Sequence, residues 1–484
     1  MPQLPLMKGT RTTKDARYLD ALPVNMVPTT AQTDSANGYM LSFPGIKTYF
    51  SCNGASFGAH YNSAIGKEFR VLGKELYEDT KKVADITGDK LTNICHSPNS
   101  TAFVDDQKVK YFRDEIVTEL KNWAEGEYAK DSDPSNYDLS GVIDMDRHEG
   151  RYVWINKNRL GCTALAGGIG GDPNTSPEQR PDYVAPFYAT EADPDDNKAV
   201  RSWQGKFIAV FGRNVCQWFG LTGNAKSIYA SQKSMQTQFG IVSTHAVCRF
   251  KGNFAAIGSE KDGTLQIAMV APGSYQKIST PTIDRIINSY KESELQDVLL
   301  DAFLKDGQDF LMVTLPNQTF VYEANQGVWF QLKSGIAVDN KYSGRHVVYN
   351  HEEGLTIGDS SLGRVGKLDE SISSQNGLDT EMIVYTPFLR VNNGKGAVPL
   401  FDLEFESIFG HINQFQSVFI SITLDGRSYG NEFRMQYNDA RQYLNRAFIS
   451  NVGRVNESIG FKLRVVSKET VNLSSFKVRI GYGN

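Results

Sequence analysis

Between residues 51 and 379 one pattern recurs: an apolar-alternating run, a polar turn, and a second alternating run. Phe69-Arg70-Val71-Leu72-Gly73-Lys74-Glu75-Leu76-Tyr77 and Thr101-Ala102-Phe103-Val104-Asp105-Asp106-Gln107-Lys108-Val109 are clear copies. Others start at Arg151-Tyr152-Val153-Trp154 and at Lys206-Phe207-Ile208-Ala209-Val210, and three more lie at Asn253–Val270, Asp309–Tyr322 and Gly354–Leu368. Period-two alternation around a Gly, Asn or Asp turn is the signature of a β-hairpin. Seven hairpins spaced roughly 35 to 55 residues apart, each with room for two flanking strands, match the size of a propeller blade. No dipeptide such as Trp-Asp repeats, so the pattern predicts a degenerate β-propeller of six to eight blades over 51–379. A single large sandwich is the competing reading.

Two segments interrupt the alternation. Ile283, Ile286, Ile287 and Tyr290, then Leu295, Val298, Leu299 and Phe303, stand at helical spacing and predict short helices within 281–303, with apolar stripes facing the core. Ala166 to Lys198 carries Gly167, Gly168, Gly170 and Gly171, five prolines and an acidic end. A loop this long inside a domain is usually functional or disordered, and 166–198 reads as an inserted excursion between blades that touches a partner.

The two ends of the chain differ from this middle. Residues 1–50, with Leu22-Pro23-Val24-Asn25 and Ser42-Phe43-Pro44-Gly45-Ile46, read as an extended N-terminal arm, because proline fixes φ and removes a donor. From about Glu381 the strands lengthen: Glu381–Val391, Pro399–Ile408, Ser417–Leu424, Gly460–Val466 and Asn472–Gly481. Such strands over 380–484 predict a C-terminal β-sandwich or jelly-roll domain. The expected fold class is therefore all-β.

Composition narrows the function. Lys plus Arg number 51 against 55 Asp plus Glu, a formal net charge of -4, which argues against affinity resting mainly on phosphate neutralisation. The charge is uneven: residues 380–484 hold 12 basic against 9 acidic side chains, and between Arg427 and Arg479 the count is 10 to 4. Arg427, Arg434, Arg441, Arg446 and Arg454 recur there against Glu432 and Asp439. A solvated face, docking on an acidic partner, and the lining of a DNA channel are all consistent with this, in that order. Cys52, Cys95, Cys162, Cys216 and Cys248 are an odd, scattered set without C-x-x-C and read as reduced thiols. No basic-then-apolar leader opens the chain and no apolar run reaches bilayer length, so a soluble protein without membrane insertion is expected.

Candidate chemistry is sparse. Gly54-Ala55-Ser56-Phe57-Gly58 matches G-x-S-x-G, but no amphipathic helix follows, as a nucleophile elbow requires. Asp193-x-Asp195-x-Asn197 starts like an EF-hand loop, yet Lys198 and Gln204 occupy the positions of its glycine and bidentate glutamate. Asp144, Asp146 and His148 share a face if they lie on a strand and could meet a metal there, although an exposed polar strand face is commoner. Gly168-Ile169-Gly170-Gly171 fits neither a dinucleotide nor a phosphate loop. Thr423-Leu424-Asp425-Gly426-Arg427-Ser428-Tyr429 only approximates the S-x-D-x-G-x-x-W boxes of some propeller hydrolases. No catalytic, cofactor-binding or metal residue is assigned, and no enzymatic activity is expected.

An ordered set of segments nonetheless has a familiar cast. Leu4-Pro5-Leu6-Met7-Lys8-Gly9, Leu22-Pro23-Val24-Asn25-Met26, Ser42-Phe43-Pro44-Gly45-Ile46, Leu221-Thr222-Gly223 and the Ile286–Tyr290 stretch with Glu294-Leu295 come first. Then follow Ser373-Ser374-Gln375, Phe401-Asp402-Leu403-Glu404, Asp425-Gly426, Tyr429-Gly430, Val452-Gly453-Arg454-Val455 and Gly460-Phe461-Lys462-Leu463-Arg464-Val465. With them the chain resembles, nearly end to end, the packaged-DNA stabilisation proteins (tail accessory factors, or tail hubs) of short-tailed Salmonella-type phages. Gly161–Lys198 and Asn392–Val398 depart from that family's pattern. The resemblance implies a homo-hexamer in the virion tail, made in the bacterial host cytoplasm. It would join the portal-bound adaptor ring after packaging and extend and help close the channel against DNA leakage. It would also offer docking to a tail needle and to tailspike or fibre proteins, with at most transient contact with packaged DNA. The alternative from another class is a propeller that binds or cleaves host surface polysaccharide, which would need paired carboxylates in its central funnel. A host-derived scaffold propeller is a third reading, and the N-terminal segments speak against it.

Overall fold

The computed structural model describes residues 3–4, 22–33, 36–88, 90–98, 100–120, 141–163, 183–185, 195–224, 227–336, 341–386, 389–390, 398–408, 416–424, 428–437, 444–455, 458–473 and 475–480. They form two compact units, one of residues 49–316 with 344–365, the other of 1–48, 317–343 and 366–484.

In the first unit the alternating runs become antiparallel sheets, as their period demands. Blade 1 is Ser56–Asn62, Lys67–Leu72, Glu75–Glu78 and Lys81–Asp85, and blade 2 is Ile94–His96, Thr101–Asp105, Lys108–Arg113 and Ile116–Glu119. Blade 3 is Asp144–His148, Arg151–Ile155, Leu160–Cys162 and Tyr183–Ala185, and blade 4 is Ala199–Trp203, Phe207–Phe211, Cys216–Asn224 and Ser227–Ser231. Blade 5 pairs Asn253–Ser259 with Val247–Phe250, Gly240–Ile241 and Gln266–Ala271, which in turn pairs with Ser274–Lys277. Two further hairpins, Leu299–Lys305 with Gln308–Thr314 and Gly344–Asn350 with Gly354–Asp359, complete seven radial elements. Six of the seven neighbouring pairs of innermost strands touch directly, and Arg249 Nε, donating to Ser202 O at 2.9 Å, links the seventh pair, so the last element closes on the first. Among the described residues the radial elements number seven, within the expected range of six to eight. Two-residue turns with positive φ, Asp106-Gln107, Lys251-Gly252 and Asp306-Gly307 among them, match the twist of their hairpins.

Apolar faces pack blade against blade. Trp154, Met145 and Tyr152 of blade 3 meet Cys95, Ala102 and Tyr111 of blade 2, while Trp218 and Phe211 of blade 4 meet Phe254 and Val270 of blade 5. Gly161 sits opposite Trp154 in the ladder, and a Cβ there would lie 2.4 Å from the indole. Only glycine lets that ring lie flat.

Two sequence expectations are corrected here. The 166–198 excursion carries a strand of its own: Tyr183–Ala185 pairs with Leu160–Cys162 as the outer strand of blade 3, so its first part falls within that blade and only the stretch after Ala185 runs between blades 3 and 4. Residues 164–182 and 186–194 lie outside the described residues. The helices end before 303. Pro281–Ile287 is an α-helix capped by Thr280, with Ile283 and Ile287 buried, and Glu292–Asp297 is a 3-10 turn burying Leu295. Leu299–Lys305 is a strand, because residues 299 and 303 serve equally well as the buried positions of an inner strand.

A polar seam joins blade 1 to the seventh hairpin. Buried Arg70 donates from Nη2 to Thr356 Oγ1 at 2.9 Å and from Nη1 to His346 O at 3.2 Å, and its Nε pairs with Glu68. Glu68 in turn accepts from Asn350 Nδ2 and Thr356 Oγ1, each at 3.0 Å.

The second unit holds one sheet of Thr380–Tyr385, Ser458–Ser467, Gln416–Thr423 and Phe433–Tyr437, and another of Gln3–Leu4, Ser475–Ile480, Val398–Ile408 and Leu444–Val455. Two of these strands, Phe433–Tyr437 and Leu444–Val455, were not anticipated. The N-terminal stretch is paired within this unit: Gln3–Leu4 adds to Ser475–Ile480, and the hairpin Met26–Thr33/Ala36–Ser42 adds Asn472–Leu473. Val24 and Asn25 are stitched between Val328–Leu332 and Thr380–Tyr385, through Val24 N to Ile383 O (2.9 Å) and Asn25 N to Gln331 O (2.8 Å). Asn25, at φ 53, donates from Nδ2 to Glu381 O (2.8 Å) and Lys333 O (3.0 Å) and accepts from Lys333 N (3.0 Å). Beside it lies the buried pair Lys333–Glu381 at 2.8 Å.

Two outcomes follow from these knots. Asn25→Ala strands buried backbone groups and removes a residue type tolerant of positive φ, so it should lower stability by about 2–4 kcal/mol in urea titration. A change below about 0.5 kcal/mol would contradict the stitch. Arg70→Met leaves Glu68 buried without its cation and should cost about 3–5 kcal/mol. Glu68→Gln/Arg70→Met should recover part of that loss, and the same thermal or urea series reads both.

Candidate functional site

The inner strands of a propeller face one another across an axial channel, so their side chains are where chemistry would gather. Two adjoining cavities occupy this region, of about 230 and 430 Å³. Ala59, Arg201, His245, Cys248, Asp301 and His346 line the first; His96, Arg147, Glu149 and Ser202 line the second; His60, Cys95, Asp146 and Arg249 line both.

Asp144, Asp146 and His148 do share one strand face, and all three are buried. Their oxygens and ring tie blade 3 to blade 4 and, through Arg249, to blade 5. Asp144 accepts from Val200 N at 2.9 Å and pairs with Arg201; Asp146 accepts from Ser202 N at 2.8 Å and pairs with Arg249; His148 Nδ1 meets Tyr229 OH at 3.1 Å. Asp144 Oδ1 and His148 Nε2 remain without a hydrogen-bond partner. Burial pushes the Asp144 carboxyl up to about 6 despite the pull of Arg201, and raises Asp301 to about 6 as well. Among the described residues no group of three or more His, Cys, Asp or Glu side chains is disposed to hold a metal.

Ser56 lies on the inner strand of blade 1, not on a strand–helix turn, and has no exposed surface. Its Oγ is 3.0 Å from His346 Nδ1, and His346 N donates to Asp301 Oδ2 at 2.7 Å. Three residue types of a hydrolytic triad thus meet, but Asp301 engages the backbone of His346 and the hydroxyl is sealed beneath Gly358, where a Cβ would lie 2.3 Å from Ser56 Cβ. The histidine pair His60 Nε2···His96 Nδ1, 2.6 Å apart, joins blades 1 and 2 and was not singled out in the sequence. No short-range signal could have found it, since 36 residues separate its members.

The remaining sequence candidates scatter. Asp195 accepts from Val215 N at 3.3 Å and from Asn214 N, clamping a turn, and Asn197 Nδ2 donates to Asn156 O at 3.2 Å. Asp193, Gly168–Gly171, Asp425–Arg427, Asp439 and Arg441 lie outside the described residues, as does the side chain of Arg446. Arg434 and Arg454 are exposed, while Glu432 is bound by Arg464, which holds its carboxyl below the ordinary range. None of the five cysteines forms a disulfide, and burial pushes the Cys95 and Cys248 thiols up. No helix among the described residues is long and apolar enough to cross a membrane.

Burial, reinforced by His96, lowers His60 to about 4; burial lowers His245 to about 3 and also depresses His96, His148 and His346. A histidine lowered in the native state favours folding fully above its unfolded value near 6.5 and loses that contribution as pH falls toward the native value. Asp144 and Asp301, raised to about 6, run the other way: their contribution is present at low pH and is lost as pH rises through 6. The five histidines outnumber them, so unfolding free energy should fall between pH 6.5 and 4. His60→Gln should make that slope shallower by at most about 1.4 kcal/mol per pH unit. Urea titrations at several pH values check this, and parallel slopes would refute it.

Comparison with known proteins accounts for the architecture. Residues 2–373 match the family described as Bacteriophage P22 Gp10, beta-propeller, and residues 381–481 match Bacteriophage P22 Gp10, beta-sandwich. The tail hub protein gp10 of Salmonella phage P22 is 33% identical over 487 residues, spanning 99% of each chain. Among solved structures, the extracellular domain of a hybrid two-component system of B. thetaiotaomicron aligns with TM-score 0.43 at 9% identity, over 83% of this chain and 47% of that one. The N-terminal domain of Nup159 gives 0.38 at 10%, over 72% and 98%. Those last likenesses are too loose to bear on function. The two family matches and the end-to-end relative do bear on descent: the chain belongs to the Bacteriophage P22 Gp10 family, a beta-propeller followed by a beta-sandwich.

Proposed function

We propose that this chain is a structural tail-hub protein of a short-tailed phage. It assembles as a homo-hexamer beneath the portal-bound adaptor ring once packaging ends, lengthens the channel and helps close it. It docks the needle or plug and the tailspikes or fibres, touches packaged DNA at most transiently, and is not an enzyme. The observation that carries this reading is the match, over 99% of both chains, to a protein named tail hub.

The channel chemistry supports it. The carboxylates that a polysaccharide-cleaving propeller would need poised for proton transfer are engaged: Asp144 by Arg201, Asp146 by Arg249. Cavities of about 230 and 430 Å³ are of small-molecule size, so a DNA duplex would have to pass outside this channel, at the centre of an oligomer.

Disabling the gene tests the reading. Confined DNA is densely charged and self-repelling, so heads lacking the hub should fill and then empty, and electron microscopy should find mostly empty heads. Stable full heads would contradict the closing role.

A further inference from the structure

The two units carry exposed surfaces of opposite character. On the first, the turn after Asn62 and the turn after Asn350 bring together Tyr61, Ile65, Tyr349 and His351. The His351 ring meets Tyr61 at 5.1 Å and Tyr349 at 5.3 Å, both edge-on, and Tyr349 and Ile65 are 56% and 48% exposed. Glu78, Asp79, Glu352 and Glu353 lie around them, with Lys67 bound to Asp79 and Lys81 beside Glu78 as the counter-charges. Glu353 accepts from Tyr49 OH at 3.1 Å. The result is a rigid aromatic patch on an acidic ground.

On the second unit, one face of the sheet Thr380–Tyr385/Ser458–Ser467/Gln416–Thr423/Phe433–Tyr437 presents cations among rings. Phe419 is in register with Arg434 on one side and Arg464 on the other. The Arg464 guanidinium lies 4.5 Å from the Phe419 ring centroid, and Lys462 lies 5.9 Å from that of Tyr429, itself beside Tyr385. Glu432 is set among them, and Glu381 beneath pairs with Lys333 at 2.8 Å and with Arg464 at 3.6 Å. Arg434 is exposed at the edge strand, its Nε held by Ser417 Oγ at 2.9 Å.

We infer that these surfaces meet between copies: the acidic aromatic patch of one protomer packs on the cationic aromatic face of the next. The inference rests on the homo-oligomeric reading above and names its contact. Arginine and aromatic side chains are the usual anchors of interfaces, and arginine over a ring gains most when water is excluded. Opposite charge fixes register and steers encounter. Because the two patches differ, the contact is heterologous, the kind that generates a closed ring when the rotation fits.

Charge exchange in the full-length protein is the test, with association read by sedimentation and mass measurement, alone and with the adaptor ring. Glu352→Arg and Arg434→Glu should each weaken self-association at least tenfold with unchanged melting temperature, because both side chains are exposed. The double variant should return to within about threefold of wild type, and Tyr349→Ser should weaken association at any salt concentration. Wild-type assembly indifferent to both reversals, or single defects that the double variant does not repair, would overturn the contact and leave the oligomer standing. A wild-type chain that stays monomeric with and without the adaptor would overturn both.

Discussion

A propeller is stable only if its circle of sheets closes, and here closure runs through Arg70. Its guanidinium reaches from the second strand of blade 1 to Thr356 and to the His346 carbonyl of the last hairpin, while Glu68 beside it takes Asn350. Each remaining junction has its own polar stitch. Asn62 reaches Thr101, Asn93 reaches the Met145 carbonyl, Asp146 reaches Ser202 N, and Arg249 reaches the Ser202 carbonyl. Leu300 N then reaches the His245 carbonyl, and His346 N reaches Asp301. Apolar packing between blades supplies the driving force without direction. The stitches supply register, since a one-residue slip would leave each buried partner unpaired.

The same groups spend their polar atoms on structural bonds within the channel. A buried carboxylate bound to arginine and backbone amide holds a fixed place, and the one oxygen left unpaired, Asp144 Oδ1, has no exposed surface. A serine sealed under Gly358 cannot be reached by a substrate. Asp144, Asp146, Ser56 and His346 look like a reactive inventory only when taken as a list. In place they are cross-links, and the raised carboxyl of Asp144 and the lowered ring of His346 follow from burial, which structural networks produce as readily as active sites do.

Legibility in the sequence tracks how local the determining interactions are. All seven hairpins were readable because each begins on the second strand of its element, where both faces meet neighbouring blades and the turn lies within the same run. The innermost strands were not: Asp144-Met145-Asp146-Arg147-His148 reads as an exposed polar strand until the channel is known to bury it. Leu299–Phe303 mimicked a helix because two buried positions four apart suit either period. Leu444–Val455 went unread since Asn445, Arg446, Asn451 and Arg454 break its alternation. The Leu22-Pro23-Val24-Asn25 segment could be seen as extended, but not why, since the partners of Asn25 lie 308 and 356 residues away.

Rigidity and surface difference together suit an assembly part better than a catalyst. A closed circle of sheets with buried ionic seams resists the hinge motions through which many enzymes admit and release ligands. It can instead hold a surface patch in one fixed orientation, which a ring of heterologous contacts requires if every copy is to turn by the same angle. In this chain the aromatic patch sits on turns anchored by Asn62 and Asn350, both buried at the blade junctions, so the residues that close the propeller also fix the orientation of the surface proposed to meet the next copy.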